Sequence, residues 1–210
     1  MSPVHPTGSI SFEFFPPNTP VGSDKLKTVV AELAAVKPEF FSVTYGAGGA
    51  TRDKTLATVQ GIAAAGHDAA PHLSCVGSTR EGIAEILATY RAQGIRRLVA
   101  LRGDLPSGTA VAGEFRFAAD LVHFVRQTQG DDWHIEVAAY PEYHPEQRYA
   151  RRDLQHFAAK VAAGASSAIT QFFFNPDAYF HFVDEVRALG VTVPIVPGIM
   201  PIHNFAKIAQ

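Results

Sequence analysis

Residues 70–101 read APHLSCVGSTREGIAEILATYRAQGIRRLVAL, and this run carries the signals of a strand, a helix and a second strand. Its opening, Ala70 to Val76, is a short apolar run, and its close, Arg97 to Leu101, is another. Between them Ile83, Ile86, Leu87 and Tyr90 recur at i, i+3, i+4 and i+7, which lays one apolar stripe along a helix. Ser78 with Glu81 predicts a capping box where the helix starts, and Gly94 predicts where it stops. Two strands joined through a helix run parallel, so the segment predicts a β-α-β unit.

Outward from that unit the same pattern returns about every 30 residues. Further apolar runs are Ile10 to Phe15, Phe40 to Tyr45, Ile135 to Tyr140, Ala168 to Phe174 and Val193 to Ile199, giving seven predicted strands. Helical spacing recurs at Leu26, Val29, Val30, Leu33, at Leu154, Phe157, Ala158, Val161, and at Tyr179, Phe182, Val183, Val186. Asn175 before Pro176 predicts another helix start. Gly66, Gly130, Gly164 and Gly190 stand with Gly94 where helices should end.

Strict alternation predicts an α/β fold with helices outside a parallel sheet, either a closed barrel or an open doubly wound sheet. Barrels gather working residues at the carboxyl ends of many strands, whereas open sheets concentrate them at one switch point. Thr44, His72, Arg102 with Asp104, Tyr140 and Gln171 fall near the ends of five predicted strands. The expectation is therefore a (β/α)8 TIM barrel, one domain over residues 1–210, truncated after the seventh strand and lacking the eighth βα unit. Open edges on the first and seventh strands would favour pairing with another chain, so a homo-oligomer is expected.

The balance of 18 basic against 20 acidic side chains, net −2, argues against a nucleic-acid surface. One cysteine, Cys75, cannot form an internal disulfide, and the start MSPVHPTGSISF lacks the pattern of a signal peptide. No apolar stretch approaches the roughly 20 residues that cross a bilayer. A soluble, cytoplasmic protein without a membrane partner is expected.

GAGGA at 46–50 has Thr51 where a dinucleotide fingerprint needs glycine, so it reads as a tight turn or as a close approach of ligand to backbone. The nine histidines lack zinc-ligand spacing, and no metal is expected. Every lysine falls on a helix or in a turn, which argues against a Schiff-base aldolase.

Glu13 within SFEFFPP shares its side of the first strand with Ser11 and Phe15, so it points into the barrel while Phe12 and Phe14 face the helices. An apolar pocket would raise its pKa and keep it protonated as a general acid. The alternative is a buried carboxylate satisfied by Ser11 or another strand. Arg102 and Asp104 flank a glycine and read as a local ion pair or as site residues. Gln171 reads as a core amide or as a reader of a heteroaromatic ring edge.

Taken together, SFEFFPP, SVTYGAGG, PHLSC, LVALRGDLP, AAYPEYHPE, AITQFFFNP and PGIMPI, one per strand and in that order, resemble the methylenetetrahydrofolate reductase family from Ser9 to the end of the chain. The resemblance implies a barrel enzyme of one-carbon metabolism and methionine biosynthesis, an oxidoreductase carrying non-covalent FAD. NADH or NADPH would reduce the flavin and leave. Methylenetetrahydrofolate would then take its place and become methyltetrahydrofolate. It implies Glu13 as the acid that opens the folate's bridged ring, and Asp104 beside flavin and pterin. Substrate contacts would include Thr44, Gln171 and Lys207, the last where bacterial members have glutamine. Flavin contacts would be Tyr45, Ala47, His72, Arg102, Gly103, Asp104, Ala118, Tyr140, His144, Gln147, Asp153, His156, Ala159 and Lys160. Competing readings are a flavin-dependent barrel of proline-dehydrogenase type and a non-catalytic barrel fragment serving as a binding partner.

Overall fold

The computed structural model describes residues 8–45, 52–104, 113–142 and 150–202. Seven strands appear there: β1 (Ser11–Phe14), β2 (Phe40–Val43), β3 (Ala69–Ser74), β4 (Arg97–Leu101), β5 (His134–Ala139), β6 (Ser167–Thr170) and β7 (Ile195–Val196). Between successive strands run α1 (Pro20–Leu33), α2 (Arg52–Ala64), α3 (Arg80–Ala92), α4 (Ala118–Gln129), α5 (Ala150–Ala162) and α6 (Pro176–Ala188). Every strand pair is parallel, and spatial order follows chain order from β1 to β7. Sequential order removes the doubly wound alternative, whose strand order must reverse at a switch point. The architecture is a curled parallel sheet of barrel type with helices on its outer face.

Alternation along each strand sorts the core into two layers. Outside, Phe41, Val43, Leu73, Leu98, Ala100, Ile135 and Val137 are buried against the helices, and Phe12 and Phe14 stack on Phe41 at ring distances of 6.0 and 5.8 Å. Inside, Phe40, Ala70 and Val99 pack with Leu101 and Ile169. Truncating a fully buried phenylalanine such as Phe41 costs about 3–5 kcal/mol, so the outer layer dominates the stability of this sheet.

The inner face closes at the amino ends of the strands through an ionic cluster. Arg97 donates to Glu136 at 2.8 Å, to Glu39 at 2.7 Å and to Asp68 at 3.3 Å, with its guanidinium 4.3 Å from the centre of the Phe40 ring. Ser167 donates to Glu136, and His134 Nε2 lies 3.0 Å from the same carboxylate.

Two start signals differ in outcome. Asn175 caps α6, its side chain accepting from the Asp177 N–H at 3.0 Å. The cap of α3 is Thr79 rather than Ser78: its hydroxyl accepts from Gly82 N–H at 3.1 Å, while Glu114 from the following connection accepts from Arg80 N–H at 2.7 Å. A distant carboxylate thus replaces the local capping-box glutamate. Six of the seven predicted strands run past the observed carboxyl ends, because their last residues turn into the connections that build the site, while β4 ends at Leu101 as predicted. No helix among the described residues is long and apolar enough to cross a membrane.

Candidate functional site

At the carboxyl ends of the strands lies a cavity of about 730 Å³. Parity puts residues of the inner face there: Glu13 from β1, Thr44 and Tyr45 after β2, and His72 from β3. Arg102, Gly103 and Asp104 follow β4, Tyr140 follows β5 and Gln171 follows β6. Ala118 opens α4, and Asp153, His156, Ala159 and Lys160 form one face of α5. Each expected site residue that is described therefore lines this one cavity. Ala47, His144, Gln147 and Lys207 lie outside the described residues, as does GAGGA.

The connections are held by the backbone. Thr44 N–H donates to Phe14 C=O at 2.9 Å, and its carbonyl accepts from buried Thr55 at 2.8 Å, fixing the exit from β2. After β4, Val76 N–H and Ser74 Oγ donate to Arg102 C=O at 2.8 and 3.0 Å. Gly103 follows with φ +82°, and a Cβ there would stand 1.7 Å from Ser74 Oγ. Only glycine meets both conditions. After β6, Gln171 N–H donates to Ala139 C=O at 2.7 Å.

Glu13 differs from expectation. Its side chain is 46% exposed, opening onto the cavity, and Oε2 lies 3.3 Å from His72 Nε2. The hydrogen bond and then the charge of His72 hold the Glu13 carboxyl below its ordinary range, against the opposing effect of burial. An apolar wall alone would have raised it. The imidazole reverses that sign.

Lys160 corrects the inference drawn from lysine positions. Although α5 lies outside the sheet, the long side chain reaches inward, donates to Ala138 C=O and brings Nζ to 5.8 Å from the Tyr140 ring centre. Burial pushes its pKa down to about 8, with Asp153 working the other way. Cys75, by contrast, is buried with its thiol pushed up to about 12 by desolvation, which makes it a poor nucleophile.

Ser74 and Phe117 also line the cavity, and sequence reasoning missed both. Ser74 was accessible by parity, two residues beyond His72 on the same face. Phe117 was not: Asp120 accepts from the N–H groups of Arg116 and Phe117 at 2.8 and 2.9 Å, and the Phe117 ring stacks on His156 at 5.1 Å.

These features define a class, the parallel β/α barrels with one polar cavity assembled from many strand ends. Solved structures of that architecture match: a Clostridium thermocellum protein described as binding two copies of 5-methyl-5,6,7,8-tetrahydrofolic acid has a TM-score of 0.63 at 15% identity, over 90% of this chain and 65% of that one. A phosphoenolpyruvate phosphomutase from Streptomyces platensis subsp. rosaceus has a TM-score of 0.61 at 14% identity, over 90% and 68%. Such identities show the fold alone. The chain belongs to the methylenetetrahydrofolate reductase family, whose sequence profile matches residues 5–210. It is 46% identical over 200 residues to the 5,10-methylenetetrahydrofolate reductase of Salmonella typhimurium and 44% identical over 200 residues to that of Escherichia coli, in each case over 95% of this chain and 66% of the relative. A probable methylenetetrahydrofolate reductase (NADH) of Oryza sativa subsp. japonica is 41% identical over 212 residues, covering 93% of this chain and 35% of the relative. The chain spans about two thirds of the length of the bacterial relatives.

Proposed function

We propose that this cavity reduces 5,10-methylenetetrahydrofolate to 5-methyltetrahydrofolate at the expense of NAD(P)H, through FAD and in two alternating half-reactions. One observation carries the reading. Residues from the ends of β1 to β6 and from one face of α5, singled out separately in the sequence, line one cavity large enough for a cofactor with a substrate ring against it.

The residues present fit FAD. Arg102 and the Lys160 ammonium supply positive charge for a diphosphate, and α4 begins at the cavity wall, where helix N–H groups favour an anion. The Tyr140, Phe117 and His156 rings supply flat surface for a ring system. When bound, FAD supplies the hydride relay between nicotinamide and folate.

The chain's own residues then position and protonate. Glu13 delivers a proton to the bridged ring nitrogen of the folate. Asp104 holds negative charge where the folate cation develops. Gln171 offers an amide to the pterin edge and to the nicotinamide, and Thr44 stands beside the latter. Ala47, His144 and Gln147 complete the flavin contacts, and Lys207 the folate contacts. The working unit is a single barrel domain, cytoplasmic and homo-oligomeric, serving one-carbon metabolism.

The test is to load the protein with FAD, bleach it anaerobically with NADH, and add methylenetetrahydrofolate. Reoxidation by the folate is expected. Bleaching without reoxidation would transfer the site to another flavin barrel of proline-dehydrogenase type, and failure to take up flavin would leave a non-catalytic binding partner.

A further inference from the structure

Glu13 and His72 stand on the same inner face but on different strands. Glu13 pairs in register with Ser42 on β2, Ser42 pairs with Ala70 on β3, and His72 is the next inward residue beyond Ala70. The curl of the sheet brings Nε2 to 3.3 Å from Glu13 Oε2, across a strand that offers no charge. Nε2 is buried and has no hydrogen-bond partner of good geometry among the described residues, so the Glu13 carboxylate at 3.3 Å is the polar group it faces. The two ends of the contact are unequal: the His72 side chain is 10% exposed and the Glu13 side chain 46%. One end is sealed by the barrel, and the other opens onto the cavity.

We propose that Glu13 and His72 hold one proton between them, and that His72 is the positioning residue that keeps this proton and returns it to Glu13 for each transfer to substrate. This rests on Glu13 being the acid of the folate half-reaction. The step balances without any further reagent. Nε2–H gives its proton to the Glu13 carboxylate, and the O–H bond so formed breaks as an N–H bond forms on the folate, leaving a carboxylate beside a neutral ring. Cavity water then supplies the next proton to the pair through Glu13, its exposed end.

The arrangement resolves a conflict in the site. An acid must hold its proton at working pH, yet Glu13 in the open cavity is held below the ordinary carboxylate range by this same neighbour. A pair that interacts this closely titrates as a unit in two steps. The proton that Glu13 releases readily stays within the pair on the ring 3.3 Å away, where a lone carboxylate would lose it to water. Ligand closing over Glu13 removes water from the carboxylate and moves the retained proton towards it, since desolvation already opposes its ionisation.

Other groups face this cavity: Tyr45 after β2, Arg102 and Asp104 after β4, Tyr140 after β5, and Asp153, His156 and Lys160 on α5. On β2 and β4 the residues beside the pair, Ser42 and Val99, do not titrate. Among the described residues, His72 is the one group that acts on the Glu13 carboxyl by hydrogen bond or charge.

The experiment has two readouts on His72→Gln, with His72→Asn as the second variant should the first not fold. The first is ¹³C-carboxyl NMR of Glu13, assigned with Glu13→Gln, in protein without flavin. The carboxyl should titrate at distinctly higher pH in the variant than in the parent. The second is the pH profile of folate-driven reoxidation, where the pH at which the rate falls to half should drop by about one unit or more, whatever the absolute rate, because one carboxylate now holds the proton alone. An unmoved Glu13 titration overturns the pair. A moved titration with an unmoved profile overturns the return of protons by His72. Absence of reoxidation at every pH in the parent protein would overturn the proposed reaction and the proton return with it, while the NMR titration still judges the pair.

Discussion

At the residue scale, the site shows how far parity reaches. The alternation of SFEFF was enough to send Glu13 inward, because Phe12 and Phe14 must bury their rings on Phe41. It could not give the charge state, since the decisive partner lies on β3 and approaches only when the sheet curls. On the reaction proposed, Glu13→Gln should slow folate-driven reoxidation by about 100-fold or more, the usual contribution of a positioned acid. Bleaching by NADH should fall far less; stopped-flow absorbance of each half-reaction separates the two, and equal losses would remove the acid role. Gly103 gives a structural counterpart. Alanine there must accept φ +82° and a contact with Ser74, at a cost of about 2 kcal/mol. Urea unfolding should show that loss in Gly103→Ala, and an unchanged midpoint would mean the turn after β4 yields more easily than its hydrogen bonds imply.

At the element scale, α5 is the informative case. Leu154 and Phe157 bury one side, with Phe157 5.3 Å from the Phe182 ring centre, and the cavity face carries Asp153, His156, Ala159 and Lys160. The apolar stripe was legible from its spacing, so the helix was too. The polar stripe carries no such spacing signal and entered through the family resemblance alone; the length of the lysine side chain takes its ammonium to Ala138. With Lys160 at about 8, its positive charge is present below that pH and lost above it. Affinity for FAD should therefore weaken as pH rises from 7 to 9. In Lys160→Met it should be lower by about tenfold at pH 7, one charge-assisted contact's worth, and much flatter with pH. Fluorescence titration of the flavin measures both, with circular dichroism to confirm that α5 is retained. A parallel pH slope in the variant would place the titrating group elsewhere.

At the scale of the whole molecule, the strand order was legible because each βα unit repeats its own start, stripe and stop. The cluster at the opposite end of the barrel was not. Glu39 and Asp68 lie just before their strands, Arg97, His134 and Ser167 begin theirs, and Glu136 sits inside an apolar run, so no local pattern announces that they meet. Their meeting ties β4, β5 and β6 together by charge where the apolar inner layer ends. Burial works to raise the Glu136 carboxyl, but hydrogen bonds from His134 and Ser167 and the charges of His134 and Arg97 outweigh it and hold it below the ordinary range. Glu39 is lowered too, first by Ser9 and then by Arg97, with burial opposing. A folded-state pKa below the unfolded value stabilises the fold at pH above the ordinary carboxylate range, and that contribution disappears as pH falls through the folded value. Glu136→Gln should thus cost about 3 kcal/mol at pH 7, the lower end for removing one partner of a buried ion pair, because Arg97 keeps Glu39 and Asp68. The gap between variant and parent should narrow steadily as pH drops below about 4, where the parent carboxylate also takes up its proton. Denaturant midpoints at pH 7, 5 and 3.5 decide it: a gap that stays constant across that range would mean that Glu136 acts through packing rather than through its charge.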